Sequence, residues 1–457
     1  MKNESMRKSL LTTITIIISL AVIWSPGKSF SFAVNLIFSV ISVISSYFIF
    51  SDSERHFTLF KTFNIFSLFF MGIAPAAQFK ANAELWGERL YEHDYIVAGL
   101  LYLFAFLVFA IIYSIEKKKG KGVSFLDHLF NNHIDRQNIG RSSIFLMIFV
   151  SLALFVYIFY CEGFNVLNMF FRGTIDDITA AAGVTETKTS NMVGLLNENF
   201  IRPVNSLLAI CFYLLFGHQH KSASALLFFL AFITMAPTAV ARFAAAAIYL
   251  PILLTLFPFL RKKNYYAITL VFGLLVVWPF LSIFRYFDVN ESFSFSLGIK
   301  EMFESGNMDS FSSLARVMKY DIVTYGRQLL GVLLFWVPRF LWVHKPIGSG
   351  AFLAQTINLD FENLACNYFA EGYINFGLVG VVAYSIVLAI VLARIDNMFW
   401  NSTQFGKSNS AFFTCFYYMS LGLLFFILRG DGLSSFAYTV GFSVALCVSR
   451  FILRLKI

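Results

Sequence analysis

The sequence predicts an all-α polytopic membrane protein of about twelve spans, on three observations. The chain is 58% hydrophobic and 13% charged, about half the ~25% charge of a soluble domain. Its apolar residues fall in runs long enough, or nearly so, to cross a bilayer core, which needs ~20 helical residues. Its basic residues are concentrated in alternate connecting segments, following the positive-inside rule. No soluble fold buries this much apolar surface, so a soluble enzyme, a disordered chain and a disulfide scaffold are excluded. The net charge of +9 then reflects membrane orientation, and no nucleic-acid partner is expected.

The first run, 10–24, follows Lys2, Arg7 and Lys8 as a signal peptide would. Trp24-Ser25-Pro26-Gly27 lacks a small-x-small cleavage pattern, so the run reads as an uncleaved span with Trp24 at the interface. Further runs occupy 30–50, 57–78, 95–115, 143–161, 200–217, 222–238, 242–260 and 265–284; three more occupy 373–393, 411–428 and 433–449. The chain divides accordingly into a nine-span bundle (1–284) with a loop at 162–199, a large loop (285–372) and a three-span bundle (373–457). An even count puts both termini on one side. That side holds twenty of the 35 Lys and Arg but seven of the 26 acids, so it carries +13 and the other side −4. Both termini are therefore expected in the cytoplasm and both long loops outside.

The loop at 162–199 is polar, with Arg172, Asp176, Asp177, Glu186 and Lys188. The larger one is too aromatic for disorder. Within it Phe311, Leu314, Met318, Ile322, Tyr325 and Leu329 recur at spacings of three and four, with Arg316 and Arg327 opposite. That pattern fits a helix lying in the interface, or one packed on its own bundle. Leu329–Val337 is too short to span and either dips into the membrane or packs on the bundle. The five cysteines form no metal-ligand spacing. A disulfide between the outward Cys161 and Cys366 is the one pairing open.

Cations at the outer ends of spans are the candidates for chemistry, because charge at such depth is costly. Arg242 opens the eighth span, before Ala244–Ala247, small residues that permit close helix approach. Arg285 ends the ninth span and Arg429 the eleventh. Arg339 and Lys345 add outer charge, with Trp342 and His344 beside them. Guanidinium forks match phosphate oxygens and keep their charge, so such a set suits a lipid-linked phosphate or pyrophosphate. The neighbouring aromatic faces suit sugar rings or the interfacial belt. There is no phosphate-binding GxxxxGK[ST] loop and no HExxH. Asp360 and Glu362 are the only close acidic pair in the large loop, so metal-independent chemistry is expected, without a cofactor.

Pro338-Arg339 with Trp342, Lys345-Pro346-Ile347-Gly348-Ser349-Gly350, then Ala370-Glu371-Gly372-Tyr373-Ile374-Asn375-Phe376-Gly377 with Gly380, resembles the bacterial O-antigen (oligosaccharide repeat-unit) polymerases of the Wzy type. The motifs cover about 338–380. His344 departs from the acidic residue often seen before the Lys-Pro pair.

The resemblance implies a GT-C-like glycosyltransferase of the bacterial inner membrane. It would polymerise undecaprenyl-pyrophosphate-linked repeat units at the periplasmic face, with membrane lipid and a chain-length regulator protein as partners. On that reading Arg242, Arg285, Arg339 and Arg429 stabilise the pyrophosphate leaving group. Glu371 is the candidate base, with His344 next. Arg316, Arg327, Trp342, His344, Lys345, Tyr373 and Asn375 contact substrate. An O-antigen ligase and a flippase or transporter of lipid-linked oligosaccharide are the alternatives; no internal repeat supports the transporter.

Overall fold

The computed structural model describes residues 2–52, 54–86, 88–130, 141–170, 196–278, 302–304, 306–359, 361–362, 364–404 and 409–455. Among these residues the regular structure is helical apart from a two-stranded hairpin, β1 (Glu84–Leu85) with β2 (Glu88–Arg89). Among the described residues, eight helices are long and apolar enough to cross a membrane. They are α2 (Phe32–Ser51), α3 (Leu59–Ala81), α4 (Glu92–Lys119), α5 (Arg141–Cys161), α6 (Asn197–Phe216), α13 (Tyr368–Gln404), α14 (Ala411–Arg429) and α15 (Gly432–Arg454). Four shorter apolar helices accompany them: α1 (Lys2–Ile23), apolar from Lys8, α7 (Lys221–Thr234), α8 (Arg242–Leu256) and α9 (Tyr265–Val277). The described part of each apolar run read from the sequence overlaps one of these helices. The chain is thus an all-α polytopic membrane protein.

Side chains at the helix starts satisfy first-turn N–H groups that nothing in lipid could replace. Thr58 accepts from Lys61 N (3.0 Å), Ser410 from Phe413 N (3.1 Å) and Asp431 from Ser434 N (2.9 Å). Close packing follows small residues. A Cβ on Gly422 of α14 would stand 2.4 Å from Ala246 O of α8, so the alanine stretch after Arg242 does receive a neighbouring helix.

Among the described residues, three α-helices lie between α9 and α13: α10 (Ser310–Lys319), α11 (Arg327–Leu333) and α12 (Ser349–Thr356). They correct the expected amphipathic helix over 311–329. It ends at Lys319, because Asp321, Tyr325 and Gly326 take φ of 46°, 50° and 86°. Phe311, Leu314 and Arg316 are all buried, so α10 packs on the bundle rather than lying in the interface. The Cys161–Cys366 pairing does not form; both are free thiols.

The span expected at 373–393 is also changed. Inside α13, Phe376 (φ −144°, ψ 23°) and Gly377 (φ 61°, ψ −145°) leave helical geometry, and the chain turns back. Tyr368 and Tyr384 would be ~24 Å apart on a straight helix, yet their rings are 5.1 Å apart and Tyr368 Oη donates to Tyr384 O. Residues 368–375 are therefore a turned-back half-helix packed against the start of the long helix. Asn367 caps it, its Oδ1 accepting from Phe369 N and Ala370 N, while Ser313 Oγ on α10 takes Asn367 N.

Candidate functional site

The half-helix organises the face of the molecule that carries α10–α12. Breaking a helix frees carbonyls at its end, and here the segment entering α11 takes them. Thr324 N and Oγ1 donate to Ile374 O, Gly326 N donates to Asn375 O (2.9 Å), and Leu329 N donates to Asn375 Oδ1 (2.7 Å). Asn375 Nδ2 donates to Glu371 O and to Tyr384 Oη. Fully buried, Asn375 is a connector between the half-helix, α11 and the span rather than a substrate contact.

Beside this frame is a cleft of about 250 Å³, lined chiefly by Thr324, Arg327, Gln328, His344, Lys345 and Phe352. Arg327 Nη2 donates to His344 O (3.4 Å) and Arg339 Nη1 to Lys345 O (3.1 Å). Lys345 Nζ donates to Phe335 O (2.6 Å) and Val337 O (2.9 Å), two of its three N–H bonds. Burial, and then the nearby Arg339 charge, pull the Lys345 ammonium below its usual range. An anion in the cleft would meet Arg327 and Lys345 together, with His344 at the same wall.

The other predicted site residues are placed elsewhere. Arg242 lies over the Trp278 ring, 5.0 Å from its centroid. Arg429 is ion-paired with the buried Asp309 (3.0 Å) and donates to Gly306 O. Tyr373 Oη donates to Asp321 (2.9 Å), and Trp342 is half-buried in the turn after Pro338. Arg285 and Asp360 lie outside the described residues, as do Arg172, Asp176, Asp177, Glu186 and Lys188; Glu362 accepts from Gln355. Arg242, Arg339 and Arg429 thus each engage a different neighbour.

Glu371 is 3% exposed, and its Oε1 accepts from Gly432 N (2.6 Å), the first residue of α15. A helix N-terminus favours a carboxylate there. The contact ties the half-helix to α15, and a hydrogen bond with Ser349 ties the same carboxyl to α12. Glu371→Gln keeps an acceptor oxygen and is expected to preserve folded protein, whereas Glu371→Ala orphans the Gly432 N–H at roughly 1–3 kcal/mol. Thermal unfolding of both variants in detergent checks this.

Arg316 is corrected outright. Expected to touch substrate, it is 0% exposed and spent on the hairpin. Nη2 donates to Leu85 O and Glu88 O, Nε to Glu88 Oε2, and Nη1 to Ser312 Oγ. Burial pushes the Glu88 carboxyl up, but hydrogen bonds from Lys319 and Tyr320, with the Lys319 and Arg316 charges, outweigh it and hold it below the usual carboxylate range. Glu88→Ala would leave the Arg316 charge buried without its carboxylate, costing roughly 3 kcal/mol, read as a lower melting temperature.

One cluster escaped sequence reasoning. Asp396, one of the seven acids on the expected cytoplasmic side, is fully buried on α13. It accepts from Tyr113 Oη (2.6 Å), Tyr417 Oη (2.5 Å), Leu59 N (3.0 Å) and Phe60 N (3.3 Å). Next to it, Arg55 Nη1 donates to Asn397 Oδ1 (2.9 Å). An acid following so closely on the apolar run at 373–393 was the available signal.

No protein-family model, curated protein or solved structure matches this chain. The fold and site define a polytopic α-helical membrane protein with a cationic cleft among its connecting helices.

Proposed function

We propose that this chain polymerises O-antigen repeat units carried on undecaprenyl pyrophosphate, by metal-independent glycosyl transfer at the periplasmic face of the bacterial inner membrane. The reading includes about twelve spans in a GT-C-like arrangement, with cytoplasmic termini and a chain-length regulator as partner. The observation that carries it is the cleft, where Arg327 and Lys345 face one space with His344 beside them. The four helices too short to meet a full span's length supply the remaining crossings in this reading.

The chemistry follows from the charges. An acceptor hydroxyl oxygen attacks the anomeric carbon of the growing chain. The bond from that carbon to the pyrophosphate oxygen breaks, and its electron pair leaves with the lipid carrier. Arg327 and Lys345 bind the leaving group more strongly as its charge develops, and Arg339 adds to the local field. In this reading His344, at the cleft wall, takes the hydroxyl proton. Glu371 serves as the tie to α15 described above.

Arg327→Lys keeps charge but loses two-point hydrogen bonding. It is expected to retain part of the long-chain polymer, and Arg327→Ala very little, at equal protein level. His344→Ala should lower the rate ~10²–10⁴-fold. Deleting the gene reads the reaction class: a single repeat unit on the lipid core supports a polymerase. A core without O-antigen would make the chain a ligase, and intermediate held on the cytoplasmic leaflet a flippase.

A further inference from the structure

We propose that residues 327–343 form a wedge inserted into the lipid leaflet on the cleft side, lying in the membrane without crossing it. The helical part, α11, has seven residues and is ~10 Å long, against a hydrocarbon core of ~30 Å. Yet this segment exposes Leu330, Leu333, Trp336, Phe340, Leu341 and Val343, with Trp336 at 68% and Phe340 at 79%. That is a dense apolar surface for a connecting segment, and water is a poor solvent for it.

Its occupant follows from what it joins. A Cβ on Gly326, just before α11, would stand 3.0 Å from the Phe376 ring. Phe376, Leu378 and Val379 are exposed at the start of the α13 span, Val379 at 75%. On the other flank Phe335 packs edge-on against Phe436 of α15, 5.6 Å between centroids, and Phe436 is itself exposed. The wedge thus extends the outward apolar surfaces of two spans, and acyl chains that cover those spans cover it too.

Its backbone suits that solvent. Carbonyls entering hydrocarbon need partners within the protein, and Lys345 Nζ caps Phe335 O and Val337 O. Pro346 packs on Gly331, 3.0 Å from where a Cβ would stand. Arg327 is exposed at the start of the apolar stretch and Arg339 within it, and long side chains such as these reach headgroups. An interfacial element sits ~5–10 Å deep. At that depth the mouth of the cleft meets the headgroup layer. This inference stands on exposure and packing and does not depend on the polymerase reading.

Spin-label accessibility tests it. In a Cys161→Ser, Cys447→Ser background, nitroxides are placed through Leu333→Cys, Phe340→Cys and Val343→Cys in full-length protein. The protein is reconstituted in phosphatidylcholine and phosphatidylglycerol vesicles. Val387→Cys, exposed in the α13 span, is the lipid reference, and Lys121→Cys, exposed in the basic segment after α4, the water reference. The expected result is a ratio of oxygen to nickel-chelate collisions near that of Val387 and several-fold above that of Lys121. A ratio equal to that of Lys121 places the segment in water and overturns the wedge. Low collision with both reagents means that another protein surface covers it, and overturns it as well.

Discussion

Gly380→Ala is expected to abolish accumulation of folded protein. A Cβ there would lie 1.9 Å from Gly372 O and 2.8 Å from its carbonyl carbon. These are backbone atoms of the half-helix, and no rotamer change moves them. Overpacking ordinarily costs ~1–3 kcal/mol, through shifts of neighbouring side chains; here the half-helix itself must move. Moving it pulls Ile374 O and Asn375 O off Thr324 and Gly326 and displaces Arg327 from the cleft. Gly377→Ala adds strain of a different kind, since φ 61° with ψ −145° is tolerated by glycine alone, at ~1–3 kcal/mol for other residues. Gly273→Ala is the matched control: nothing stands within 4 Å of its Cβ position, and it should be neutral or slightly stabilising. Size-exclusion profiles and melting curves of the three variants check the series. A monodisperse Gly380→Ala with unchanged melting would refute the turned-back half-helix.

Asp396→Ala is expected to have the largest polar effect in the chain. The carboxylate answers two tyrosine hydroxyls and the first two N–H groups of α3, joining α3, α4, α13 and α14. Removing it leaves Tyr417 Oη its longer bond to Phe57 O (3.3 Å) but orphans Tyr113 Oη, Leu59 N and Phe60 N at roughly 1–3 kcal/mol each, a sum comparable to the whole stability of many folded proteins. Asp396→Asn should be milder but still costly, because its amide N–H₂ faces groups that are themselves donors. Loss of folded protein for Ala, with a smaller fall in melting temperature for Asn, is the expected order. Equal stability of both variants and the wild type would remove Asp396 as the joint among these helices.

Composition and spacing determined the solvent and the class of this protein. Apolar residues in runs of membrane length can satisfy their backbone only as helices, so the helices at those runs were legible without coordinates. So was the close approach at Ala244–Ala247, because small residues act wherever helices cross. The cationic character of 339–345 was legible too, but not its partners. Periodicity alone left α10 open between interface and core, since one apolar face serves lipid and protein equally well; the hairpin that takes Arg316 settled it. The motif from Glu371 to Gly380 was legible as a motif, but not what its glycines and asparagine do in the fold: they make a turn, a close approach and a set of caps, and these depend on atoms brought from residues 324–329 and 432. Which arginine meets an acid, as Arg429 meets Asp309, is likewise decided by packing of segments 120 residues apart. Local sequence carries charge and propensity, whereas pairing across such distances exists only once the chain has folded.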